Sequence, residues 1–303
     1  MVATAYPKRK KKSIFRRIWD NRAAYLFITP FFIGFLLLDA FPLAFSGYLS
    51  LHKWNGLGEM RYRGPANYTR AFQDSRFLVS LKNTATLWLG HIFLLLALAF
   101  ILAVVLNSKL IKGRYVYRVI YYLPNITAIA PMALVFGLIF DTHFGILNLG
   151  LTALGITGPP WLTEPFWANV SIIILNIWSA LGWYMLILLA GLQSIDPTLY
   201  EAAQVDGSTT LQRAWYITLP GLRDVLFFAF IIETIGSFEL FTEPQLLTNG
   251  GPLNSTLTAS LYLYNSAFSY NKFGYSSAMS FILFAIIVVV TIIQARLTAE
   301  DEA

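Results

Sequence analysis

The sequence predicts an all-α integral membrane protein with six transmembrane helices and a cytoplasmic helix-turn-helix between the fourth and the fifth. Three observations predict it. Of 303 residues, 56% are hydrophobic and 13% charged, whereas a soluble chain carries about a quarter charged residues. Six apolar stretches, 23–49, 84–106, 119–140, 170–192, 225–241 and 276–297, approach or exceed the roughly 20 helical residues that cross a hydrocarbon core of about 30 Å. Finally, Lys and Arg divide unevenly between the two sides. With the N-terminus inside, 15 fall on cytoplasmic segments and 7 on outer ones, which puts both termini in the cytoplasm.

The elements follow in order. Residues 1–22 form a basic cytoplasmic tail holding eight of the 22 basic residues, Lys8 to Lys12 and Arg16, Arg17 and Arg22 among them. Such a tail beside a span binds anionic lipid headgroups. It explains much of the net charge of +6 without nucleic acid, and no nucleic-acid partner is expected. The apolar run at 23–38 is longer than the 7–15 residues of a signal-peptide core and no small-residue cleavage site follows, so it reads as a retained first span. Pro30, Pro42, Pro124 and Pro131 fall within or beside spans, where neighbouring helices and local turns re-satisfy the freed carbonyls. Asp39, near Pro42, reads as the outer end of its span. The membrane domain runs over 23–297, and 298–303 is a cytoplasmic C-terminus.

Residues 196–220, between the fourth and fifth spans, are written as two short helices and not as a linker. Asp196-Pro197 is an N-cap followed by a proline whose missing N–H costs nothing in a first turn. Leu199, Ala202 and Ala203 share a face, and Gly207 stands where a helix ends in a left-handed residue. Thr209 and Gln212 have capping-box spacing for a second helix, with Leu211, Ala214 and Trp215 on one face and Pro220-Gly221 to stop it.

Glu201-Ala202-Ala203, then Asp206-Gly207, then Ile217-Thr218-Leu219-Pro220 resembles the cytoplasmic "EAA" loop of binding-protein-dependent ABC importer permeases. Ser208, Ala214 and Asp224 depart from that family's usual alanine, aromatic and proline. The outer loops are similar to the family's as well: Arg63-Gly-Pro-Ala-Asn67-Tyr68 with Asp74, Asn83 and Thr84, then Asp141 to Asn148, then Thr248-Asn-Gly-Gly251-Pro252. With Gly274-Tyr275 before the last span, the resemblance covers 23–297, and the motif order is that of the maltose, glycerol-phosphate and oligosaccharide permease subunits.

The resemblance implies the ABC importer type I permease fold in a multi-pass protein of a bacterial or archaeal inner membrane. Its implied partners are a second permease subunit, an ATPase subunit dimer, an extracytoplasmic solute-binding protein, a sugar substrate and membrane lipid. It implies that Glu201, Ala202, Ala203, Asp206, Gly207, Leu219 and Pro220 couple the chain to the ATPase. ATP and Mg would be held by that partner, with no cofactor on this chain. The residues agree on that last point, because no G-x-x-x-x-G-K-[ST] phosphate cradle occurs. The chain also has no cysteine, and His52, His91 and His143 lack metal-ligand spacing.

Polar groups inside spans point to solute. An acidic side chain at mid-bilayer costs about 2.5–3.5 kcal/mol on insertion scales, so Glu233 and Glu239 should face an interior. Glu233 and Ser237 lie one helical turn apart, and Asn176, Ser179 and Trp183 follow a similar line in the fourth span. A ring with amide, hydroxyl and carboxylate groups suits a sugar, so Asn176, Trp183, Glu233 and Ser237 are the candidate substrate-binding residues. The same groups would also serve as polar glue between helices, including a Glu233–Asn176 bond. His91 is expected to hydrogen-bond a neighbouring helix. The alternative function is a stand-alone proton-coupled secondary transporter, which predicts an inverted internal repeat that the sequence does not show.

Overall fold

A computed structural model describes residues 19–108 and 111–299; most of the basic tail, Lys109 and the last four residues lie outside the described residues. Helix α1 (Arg22–Ser50) contains a wider turn at Leu36–Ala40 and packs on the last helix at its distal end. A short hairpin, β1 (His52–Lys53) with β2 (Arg61–Tyr62), and α2 (Ala66–Gln73) lead to α3 (Ser75–Asn107). Asp74 caps α3, accepting from the backbone N–H of Arg76 and Phe77 at 3.0 and 3.4 Å. Helices α4 (Arg114–Ile126) and α5 (Ile129–Ile139) follow, then α6 (Ile146–Ala153) and α7 (Pro165–Leu192).

The centre of the molecule is α3 against α7. Leu95, Ala99, Ala103 and Leu106 of α3 meet Met185, Leu188 and Leu192 of α7, all buried. Alanines at four-residue spacing let the two backbones approach, which is how helices gain van der Waals contact where lipid removes the hydrophobic drive. Gly182 of α7 does the same for α4, since a Cβ there would overlap the Tyr121 carbonyl and the Tyr122 backbone.

Beyond α7 come α8 (Pro197–Val205), α9 (Thr210–Gly221) and α10 (Arg223–Phe238). The chain continues through α11 (Thr242–Leu247), α12 (Ala259–Tyr264) and α13 (Phe273–Ala299). Thr234 of α10 ties three helices together: its Oγ1 accepts from Trp88 of α3 at 3.1 Å and from Gln294 of α13 at 2.9 Å, and it donates to the Phe230 carbonyl at 2.8 Å.

Two of the six expected spans are not single rods. Four helices are long and apolar enough to cross alone, and the count reaches six only when bent pairs are joined. The third span, expected at 119–140, is α4 and α5 meeting at 98°. Thr127 and Ala128 there are extended in ψ, and Pro131 in the first turn of α5 offers no N–H to a preceding carbonyl. The fifth, α10, meets α9 at 68° across Leu222 and, expected to reach 241, ends as a helix at Phe238. Its 16 residues cover about 24 Å, short of a hydrocarbon core.

Candidate functional site

The α4–α5 break and the C-terminal end of α10 open onto one cavity. It has a volume of about 460 Å³ and is lined by the α4–α5 break (Asn125, Thr127), α7 (Asn176, Ser179) and the end of α10 (Glu233, Glu239), with Glu243 of α11. Non-helical backbone at membrane depth persists only where protein covers it or water reaches it. A helix break and a helix end at one place therefore mark a polar interior and not a lipid-facing surface.

Glu233 is buried, and so is its partner. His91 Nε2 lies 2.5 Å from Glu233 Oε1, with the two side chains 1% and 8% exposed. His91 Nδ1 lies 2.7 Å from the Leu87 carbonyl, which can only accept, so Nδ1 carries a hydrogen. One further proton then sits between Nε2 and Oε1, and the pair is electrically neutral whichever atom holds it. The Ser237 hydroxyl donates to the Glu233 carbonyl at 2.6 Å, and the Tyr184 hydroxyl hydrogen-bonds the Glu233 side chain. Glu243, 8% exposed, is hydrogen-bonded by the Asn176 side chain. A carboxylate only accepts, so the Asn176 amide nitrogen points to it and Oδ1 remains buried without a hydrogen-bond partner among the described residues. Glu239 is exposed in the cavity wall.

Of the four sequence-derived substrate residues, the structure brings Asn176 and Glu233 to this cavity. Ser237 lies behind it, 2% exposed. Trp183 does not line it; the ring stacks on Tyr122 of α4, with centroids 6.4 Å apart. The bond that joins Glu233 to another helix goes to His91 of α3 and not to Asn176. Sequence reasoning passed over Asn125, Thr127 and Glu243 as cavity residues. Pro124-Asn125-Ile126-Thr127 carried the available signal, a proline and two polar residues inside an apolar run.

Loop 196–220 has the local chemistry its sequence spells. Asp196 accepts from the Thr198 N–H at 2.9 Å, and those bonds hold its carboxyl below the usual aspartate range. Gly207 has φ +74° with nothing near a would-be Cβ, so only its backbone conformation demands glycine. The Ser208 N–H and hydroxyl both bond the Ala203 carbonyl. Thr209 and Gln212 form the reciprocal capping box, and Tyr200 and Thr218 hydroxyls meet at 3.0 Å across the two helices. Glu201, Ala202, Asp206 and Pro220 are exposed, with Ala203 and Leu219 half-buried. So are Leu199, Val205, Leu211, Trp215 and Tyr216, at 52%, 88%, 68%, 61% and 80%. The loop satisfies its own polar groups and leaves its apolar ones open. At its far end, Leu222 is fully buried against the α3–α7 core, and Gly191 leaves the room for it.

At the opposite end of the bundle the polar residues of the outer-loop motifs make structural bonds. Asn67 donates to the Ser50 and His52 carbonyls, Asn83 to those of Asn254 and Leu257, and Asn148 to those of Thr142 and Pro159. Thr84 accepts from the Ala259 N–H. The larger cavity there, about 610 Å³, is bordered by Lys53, Arg61, Arg63, Arg70 and Lys272, which are five of the seven cations counted on that side of the sequence.

A helical bundle with a solute-sized interior, hydrogen-bonding groups in its wall and a separate self-capped loop is by class a membrane permease, a translocation subunit and not an enzyme. The model of the binding-protein-dependent transport system inner membrane component matches residues 96–299, and the chain belongs to that family, whose ATPase is a separate subunit. It is 34% identical to the lactose transport system permease protein of Rhizobium radiobacter, over 93% of this chain and 96% of that one. It is 32% identical to the arabinooligosaccharides transport system permease protein of Bacillus subtilis, over 96% and 94%. Among solved structures it superposes with a TM-score of 0.83 on a chain of a bacterial ABC transporter that imports the acidic polysaccharide alginate. That match covers 95% of this chain and 99% of the other at 24% identity, a likeness of fold.

Proposed function

We propose that this chain passes a sugar or oligosaccharide across a bacterial or archaeal inner membrane, paired with a second permease and driven by a dimer of ATPase subunits that hold ATP and Mg. An extracytoplasmic binding protein delivers the solute. Loop 196–220 is the ATPase contact: Val205, Leu211, Trp215 and Tyr216 supply the apolar face, Glu201 and Asp206 its charge. The observation that carries this reading is that open apolar face on a loop whose polar groups are already satisfied, since exposed apolar patches of that kind mark docking surfaces. ATPase closure pulls on α8 and α9. Leu222 passes the movement to α10 and the α3–α7 core, and the α10 end moves against the α4–α5 break, opening the cavity to one side and then the other. The relatives named for lactose and arabinooligosaccharides support a saccharide. Polar atoms from several helices in one cavity support hydroxyl recognition.

Both termini and loop 196–220 are cytoplasmic in this reading. The cysteine-free chain allows a direct test. Gln204→Cys should react with a membrane-impermeant maleimide only after the membrane is opened, whereas Leu57→Cys, at an 81% exposed position, should react in intact cells. A tagged chain should copurify an ATPase and a second permease. Labelling of Gln204→Cys from outside, or purification of a lone chain that still transports, overturns the assignment.

A further inference from the structure

The cavity wall carries three carboxylates, Glu233, Glu239 and Glu243. Glu233 is neutralised by His91, and Glu243 takes the Asn176 amide nitrogen. The third, Glu239, is exposed and makes no hydrogen bond or ion pair with a described side chain. Glu239 stands just past the last turn of α10, on a helix that stops short of a full crossing, so its charge sits where lipid would be costly and must meet water or solute. No Lys, Arg or His lines the cavity. The opposing positive field is the α5 N-terminus at Ile129, worth about half a charge.

We infer that the cavity selects solutes by charge, with Glu239 as the specificity-determining residue. Neutral and ammonium-bearing saccharides are accepted, and saccharides bearing carboxylate or sulfonate groups are rejected. A hydroxyl or ammonium donates to the Glu239 carboxylate, while an anionic group is repelled by it. This rests on the reading of the cavity as the solute path. The alginate transporter shares the fold at low identity and lends no substrate to this chain.

The test places Ser179→Cys, on the cavity wall, in the otherwise cysteine-free chain within its intact transporter. Two reagents of similar size are compared, a cationic trimethylammonium-ethyl and an anionic sulfonatoethyl methanethiosulfonate. Each rate is normalised to its rate with 2-mercaptoethanol. The normalised cation-to-anion ratio should be about tenfold or more above one, fall by about tenfold with Glu239→Gln, and drop below one with Glu239→Lys. A ratio near one, or one that neither Glu239 substitution moves, overturns the charge filter while leaving the solute path standing. Failure of both reagents to reach Ser179→Cys removes the path and the filter together.

Discussion

Loop 196–220 and the cavity are built by opposite means. Every hydrogen bond that shapes the loop's caps and turn joins residues no more than five apart, from Asp196 to Thr198 and from Ala203 to Ser208. The cavity's central bond joins His91 to Glu233, 142 positions apart, and Trp88 to Thr234 spans 146. The loop's caps and turn are specified by neighbouring residues, and it keeps an open face for a partner. The cavity exists only once α3, α7 and α10 have packed. A permease needs both, a stable handle that another protein can grip and an interior whose helices are held by few enough polar bonds to shift.

The largest effect tests the non-local half of that contrast. His91→Leu leaves Glu233 buried without its partner and should cost about 3–5 kcal/mol, read as a sharp loss of thermal stability and yield of the purified protein. Adding Glu233→Leu should recover most of it, because apolar replacement of both members of a buried pair is often neutral. A His91→Leu loss below about 1 kcal/mol would mean that the pair does not hold α3 to α10.

Gly207→Val tests the local half. Forcing a β-branched residue to positive φ costs about 1–2 kcal/mol or more, and nothing around Gly207 would be displaced. The damage should therefore stay in the loop. The chain should accumulate in the membrane at normal level and lose its ATPase in copurification. Normal transport by this variant would show that the turn does not aim the docking face.

Asp74 belongs to both worlds and gives the smallest, most discriminating change. Its Oδ1 caps α3 locally, while its Oδ2 accepts from the Tyr262 and Tyr275 hydroxyls, each at 2.7 Å, 188 and 201 positions away. Burial pushes its carboxyl up, but the two tyrosine bonds and two backbone bonds outweigh that and hold it below the usual aspartate value. A lowered carboxyl pKa stabilises the fold above the ordinary aspartate range, and the contribution is lost as pH falls through the lowered value. Asparagine is as good an N-cap as aspartate, so Asp74→Asn keeps the cap while removing the charge and the acceptor that the two tyrosines share. Melting should drop by the equivalent of about 0.5–1 kcal/mol at neutral pH, and the share of the acid-side decline that belongs to Asp74, which sets in as pH falls below the ordinary aspartate value toward the lowered one, should vanish. An unchanged acid limb would leave the cap as the whole of its role.

Much of the loop was legible in advance because its signals are local. Asp196-Pro197, Gly207 and the Thr209–Gln212 box each state a backbone conformation through the chemistry of neighbouring residues, and the structure has all of them. The same holds for the spans at 84–106 and 170–192, where apolar length alone decides. Apolar length misleads where a helix breaks. The stretch 119–140 is long enough to cross as one rod, and its two prolines, Pro124 and Pro131, are compatible with a gentle kink or a full turn. The 98° bend follows from what α7, α10 and α11 leave room for.

The candidate substrate residues divide the same way. Helical spacing correctly puts Glu233 and Ser237 on one face of α10, a statement about a single helix. Spacing does not say what that face meets. That Glu233 pairs with His91, that Ser237 is sealed behind it and that Trp183 turns to Tyr122 depend on the rotation of four helices about their own axes. Composition, span length and the capped loop were thus determined by the sequence alone, because each rests on contacts within a few residues or on transfer into lipid. The cavity, its break-points and its uncompensated carboxylate were decided by the tertiary structure, because helix rotation and crossing are set by side chains far apart in the chain, 142 and 146 positions for the bonds of His91 and Trp88.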